Sequence, residues 1–117
     1  MPLEISSSKV GSITLLSLKG TIVAGNDRKK LQDKIKELLD AAEINIIMDL
    51  EQVSYADSTG IGGLLEASTA ATRKGGCAVL LHLTKRIHDV LQITRLSTVF
   101  GIYDDLQKAV DSFGSTG

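Results

Sequence analysis

The sequence predicts an α/β domain built on one mixed sheet, and three observations point that way. Short apolar runs alternate with longer stretches whose apolar residues recur at helical spacing. The first two runs are separated only by Gly11-Ser12, as in a hairpin. Two later runs, INIIMDL and CAVLLHL, are apolar at nearly every position, as in strands covered on both faces. Strand–helix alternation then implies a sheet that is parallel through its middle, with the hairpin at one side. The expected order is β-β-α-β-α-β-α-β-α, with about five strands and about four helices in one domain over 1–113 and a loose tail over 114–117.

Each element has its own signal. LEISSSKV and SITLLSLKG read as the hairpin strands, and TIVAG as a connector. NDRKKLQDKIKELLDAAE carries Leu31, Ile35, Leu38, Leu39 and Ala42 on one helical face, with Asn26 as its cap. INIIMDL (44–50) is a strand, followed by the stretch around Asp57 and a helix to about Lys74 that Gly75-Gly76 ends. CAVLLHL is a buried strand, which makes Cys77 a small buried thiol. TKRIHDVLQIT puts Ile87, Val90 and Leu91 on one face, with Thr84 as cap. TVFGI is a short strand. YDDLQKAVDSF aligns Leu106, Ala109, Val110 and Phe113, and Asp104 with Gln107 resembles a capping box.

Composition narrows the function. The 117 residues suit one domain, and 43% hydrophobic with 23% charged residues is ordinary for a globular protein. A net charge of −1 provides no basic face for a nucleic-acid backbone, and with no Trp, two Tyr and two Phe there is no base-stacking platform. A lone cysteine precludes an internal disulfide. No apolar run approaches the roughly 18 residues of a membrane span, and MPLEISSSKV lacks a signal-peptide pattern, so a cytoplasmic protein is expected.

The stretch SYADSTGIGGLLEA, residues 54–67, stands apart. Asp57 precedes two hydroxyls, Ser58 and Thr59, and Gly60, Gly62 and Gly63 fall where a helix begins. Asp57 or Ser58 can cap that helix. Either way Ser58 sits at the positive end of the helix dipole, where a phosphate is a favoured guest. Glycine costs about 1 kcal/mol in a helix interior relative to alanine, so three of them imply close approach by something. At 100° per residue, Ile61, Leu64, Leu65, Ser68 and Thr72 turn inward. Gly63, Glu66, Ala70 and Arg73 then form a flat outward stripe on which a partner's backbone can lie.

Catalytic readings fit worse. A nucleophile elbow needs G-x-S-x-G, and Ala56 occupies the first glycine position. A Ser-His-acid triad, the basis of a remote serine-hydrolase alternative, would need His82 or His88, which read as packing or surface residues. There is one D-S-T-G loop where an aspartic protease has two. Leu65 replaces the third glycine of a dinucleotide fingerprint, and no Walker sequence occurs. Cys77, His82 and His88 lack zinc spacing. The residues call for no metal and no cofactor.

The run INIIMDLEQVSYADSTGIGGLLEA resembles the signature of the STAS domain, and is most similar to stand-alone bacterial anti-sigma factor antagonists. Asp49, Val53, Asp57, Ser58, Thr59, Gly60 and Gly62 match it, and the element order extends the resemblance over essentially the whole chain. It implies a binding module, not an enzyme. Unphosphorylated, such a protein binds an anti-sigma factor of serine-kinase type and frees a sigma factor; phosphorylated, it lets go, and a phosphatase resets it. Nucleic acid and membrane are not partners. Ser58 is the implied phosphorylation site, with Thr59 as the lesser acceptor. Asp57, Thr59, Gly60 and Gly62 form the switch neighbourhood. The docking face is Gly63, Glu66, Ala70 and Arg73 beside Thr21, Asn26 and Asp27. In one place the chain departs from the family pattern: Val23 stands where relatives often carry an acid before the first helix, with Asn26 and Asp27 close by as substitutes. A STAS scaffold subunit without a phosphate cycle, in a regulatory or transporter complex, is the alternative.

Overall fold

Strands β1 (Glu4–Val10) and β2 (Ile13–Ile22) pair antiparallel across a turn at Gly11, whose φ of +62° suits a residue without a side chain. From β2 the chain passes through α1 (Asn26–Asp40) to β3 (Asn45–Ala56), then α2 (Ser58–Arg73), β4 (Cys77–Leu81), α3 (Lys85–Ile93), β5 (Ile102–Tyr103) and α4 (Leu106–Gly114). The five strands lie in sequence order, and every pair after the hairpin is parallel, as expected. The structure, a computed structural model, describes residues 1–114; of the tail expected over 114–117, Gly114 instead ends α4 and 115–117 lie outside the described residues.

Parallel strands added in one direction need crossovers of one hand, which places their helices on one face. Helices α1, α2 and α3 accordingly share a core with Leu16, Leu18, Ile46, Met48, Leu50 and Leu80. Helix α4 packs alone on the other face, where Ala109 meets Ile13, Ile47, Val79 and Leu81. The rest of that second face is polar and exposed, as at Ser6, Ser8, Ser17 and Lys19.

Several boundaries differ from the sequence expectation. Strand β2 includes Thr21 and Ile22, which pair with Tyr55 and Ala56, so the connector shrinks to Val23, Ala24 and Gly25 and β3 continues past Leu50 to Ala56. Beyond Leu50 the burial of β3 does not alternate, since Val53 and Ala56 are buried while Ser54 and Tyr55 are not, and the register shifts between Gly20 and Thr21. Gly25 caps α1 in place of Asn26, and without a side-chain bond. Thr84 does cap α3, accepting from Ile87 N at 3.3 Å. At α4 the cap is Asp105, which accepts from Lys108 N at 3.0 Å, not Asp104. TVFGI is mostly turn, because Phe100 folds into the core and only Ile102 and Tyr103 pair. Cys77 opens β4 at the sheet's rim and is exposed, not buried as expected; the partial cover it does have raises its thiol pKa through desolvation.

Candidate functional site

The distinctive stretch folds into a tightly anchored helix start. Ala56 ends β3 in the core, and Asp57 caps α2 in an extended conformation. One carboxylate oxygen of Asp57 accepts from Gly60 N at 2.7 Å. The other accepts from Ala24 N at 3.2 Å, tying the helix start to the β2–α1 loop. Asp57 N donates to Ile22 O at 3.3 Å. Of the two caps the sequence left open, Asp57 is the one used, which leaves Ser58 as the first helical residue.

Gly60 is obligatory in this arrangement. A Cβ built there would lie 1.8 Å from Ile22 O and 2.7 Å from Ile22 C. Ser58 and Thr59, by contrast, are exposed. Their backbone N–H groups are first-turn donors with no intrahelical acceptor.

Arg28 is a site residue that sequence reasoning missed. Its guanidinium donates to Thr59 O at 3.0 Å and to Glu66 Oε2 at 2.8 Å, so it spans the first two turns of α2. The stem lies on the glycines: a Cβ on Gly63 would come 2.7 Å from Arg28 Cδ, while one on Gly62 would be 3.7 Å from Nη1. Arg28 Nε is buried there without a partner. Adjacent glycines in a helix signalled close approach, but not whether the visitor would be this chain or another.

The outward stripe is corrected accordingly. Gly63 is buried beneath Arg28 and Leu31 instead of standing on an exposed outward stripe. The buried face of α2 is Gly60, Ile61, Gly63, Leu64, Ala67 and Ala71, because α1 covers one flank and the sheet the other. Thr72, expected inward, is exposed. Arg73 is exposed; Glu66, exposed, and Ala70, half-buried, line a groove of about 210 Å³ together with Ile35, Leu39 and Ala67.

Thr21 and Asn26 lie at the end of β2 and the start of α1, half-buried and exposed respectively. Asp27 does not face outward. It is 7% exposed, and its oxygens accept from Leu3 N at 3.0 Å, the Thr21 hydroxyl at 2.7 Å and Val23 N at 3.2 Å. Desolvation pushes this carboxyl up, but the bonds from Thr21, Leu3 and Val23, aided by the N-terminal charge, outweigh it and hold its pKa below the usual value. Asp27 therefore fastens the N-terminal segment to the β2–α1 loop and cannot stand in for the acid that Val23 replaces.

A hydrolase constellation is not assembled here. Among the described residues no histidine hydrogen-bonds to Ser58; His82 instead contacts Asp49 and Glu51, and His88 is exposed on α3. His82, expected inside a buried strand, is half-buried just past the end of β4.

Residues 4–109 match the family model described as the STAS domain. An anti-sigma-B factor antagonist of Listeria monocytogenes is 32% identical over 84 residues, covering 68% of this chain and 74% of that protein. A crystal structure of an anti-sigma factor antagonist from Mycobacterium paratuberculosis superposes with a TM-score of 0.81 at 16% identity, over 95% of this chain and 93% of that one. The Bacillus cell fate determinant SpoIIAA in its phosphorylated form superposes with a TM-score of 0.71 at 20% identity, over 93% of this chain and 98% of that one.

Proposed function

The chain belongs to the STAS domain family, and on that basis we propose that it is an anti-sigma factor antagonist switched by phosphorylation at Ser58. Unmodified, it binds an anti-sigma factor that is also a serine kinase, and a sigma factor is released. Phosphate transfer to Ser58 ends the binding, and a phosphatase restores it. The surface engaged comprises Ser58, Thr59 and Asn26, with Glu66, Ala70 and Arg73 along α2 and Thr21 at the loop. The setting is the cytoplasm; among the described residues no helix is long and apolar enough to cross a membrane.

One observation carries this reading: Ser58 is exposed on the first turn of a helix whose start is fixed from beneath. A phosphate adds about −1.5 to −2 charges at pH 7. The dipole and the free N–H groups of Ser58 and Thr59 can hold it without disturbing the core. Pressed into an interface beside Asp57, the same charge meets desolvation and like-charge repulsion. The modification thus acts on binding and spares the fold.

Val23 favours a second reading, a STAS scaffold subunit without a phosphate cycle, because the acid often found there is absent and Asp27 is turned away. Incubation with the cognate kinase and ATP separates the two. A gain of one phosphate mapped to Ser58 supports the switch. A peptide from this helix start that never gains mass supports the scaffold.

A further inference from the structure

On the sheet face that α4 leaves open, Asp49, Glu51 and His82 bring three ligand atoms within 4.8 Å of one another. His82 Nδ1 is 3.3 Å from Asp49 Oδ1 and 3.4 Å from Glu51 Oε2. Strand alternation sets Asp49 and Glu51, two residues apart in β3, on one face, in a stretch where β3 advances from Asp49 to Gln52 while β2 advances only from Ser17 to Lys19. His82 adopts a left-handed φ of +55°, which a non-glycine residue rarely does.

We infer that Asp49, Glu51 and His82 form a binding site for a divalent transition metal of the zinc type. Zinc holds imidazole nitrogen and carboxylate oxygen at about 2.0–2.2 Å, so neighbouring ligands in a tetrahedron stand about 3.4 Å apart. Both separations at His82 have that length. Two carboxylates supply the charge that balances a dication. The imidazole selects a borderline metal over magnesium or calcium, which prefer oxygen alone.

Backbone groups steady two of the positions: Asp49 Oδ1 accepts from Glu51 N at 3.0 Å, and the His82 backbone N–H donates to Tyr103 O at 3.0 Å. The side chains are 21%, 64% and 32% exposed for Asp49, Glu51 and His82, so an ion can enter from solvent. A hollow of about 420 Å³ beside Asp49 and Glu51 leaves room for a water as fourth ligand. This site involves neither Ser58 nor its neighbours and stands or falls independently of the phosphate switch. The competing arrangement is a plain contact in which Nδ1–H is shared between the two carboxylates.

Zinc chloride titrated into the intact protein tests the site, by calorimetry and by the imidazole ¹⁵N resonances. The expected result is saturable binding of one zinc, with the His82 nitrogens shifting and those of His88 unmoved. Glu51→Gln lies at an exposed position, and His82→Asn keeps a residue that tolerates a left-handed backbone. Each should weaken zinc by at least about tenfold while leaving the circular dichroism spectrum unchanged. Cys77→Ser should bind as the parent does. Absence of saturable binding, retention of affinity in both ligand variants, or its loss in Cys77→Ser would overturn the assignment.

Discussion

Replacing Gly60 by alanine should damage the helix start although alanine is the better helix former. The substitution gains about 1 kcal/mol of helix propensity. Against that, the new Cβ would lie 1.8 Å from Ile22 O. A relaxed carbon–oxygen contact is about 3.3 Å or longer, so the backbones must separate by roughly 1.5 Å. The atom struck is main chain in β2, and it cannot rotate aside. That displacement breaks the bond from Asp57 N to Ile22 O and pulls Asp57 Oδ2 from Ala24 N. Two such bonds contribute about 0.5–1.5 kcal/mol each, and overpacking costs a further 1–3 kcal/mol or so. The net loss is about 1–5 kcal/mol. For a chain of this size 1 kcal/mol moves Tm by about 4 °C, so Tm should fall by roughly 4–20 °C. Gly62→Ala is the matched control: its Cβ meets only Arg28 Nη1, at 3.7 Å. There the propensity gain survives, and Tm should rise by about 2–4 °C. Thermal unfolding of both variants, followed by circular dichroism, reads the difference. A Gly60→Ala protein as stable as its parent would show that β2 does not press against α2 as described.

Asp57→Ala removes a cap and the tie to Ala24, and should cost about 1–2 kcal/mol by urea unfolding, with Asp57→Asn losing less. Asp27 makes stability depend on pH. Its folded pKa is depressed, so its contribution is full above the unfolded value of about 3.9 and is lost as pH falls through the folded one. Unfolding midpoints taken between neutral and strongly acid pH should fall less steeply in Asp27→Asn than in the parent. Ser58→Asp should keep Tm within a few degrees, because the side chain is exposed; a collapse would make the hydroxyl chiefly structural.

The order of elements and the sheet's parallel middle were legible because they rest on periodicity, which burial on two faces imposes. Boundaries were less so. EQVSYA looks polar, yet pairing with the end of β2 recruits it, and that partner is remote in sequence. The Ser58 turn was legible in outline, since D-S-T-G places a cap and a hydroxyl at the helix start, but it left Asp57 and Ser58 both open as the cap. Arg28 was not. Among the charges at the start of α1, nothing local distinguishes the one whose stem lies on Gly63. The same crossing of α1 over α2 buries Gly63 and takes it off the docking stripe. Asp27 was misplaced because helix starts commonly carry an exposed acid, whereas this one bonds to Leu3, distant in sequence. Asp49 and Glu51 share a strand face by their spacing of two, but His82 joins them from the end of β4 through a left-handed residue that has no local sequence signal.

Affinity for the cognate anti-sigma factor, measured by calorimetry with unmodified and Ser58-phosphorylated protein side by side, bears hardest on the switch. Phosphorylation should weaken binding by about a thousandfold, equivalent to about 4 kcal/mol, with the unfolding temperature nearly unchanged. Equal affinities for the two forms would contradict it.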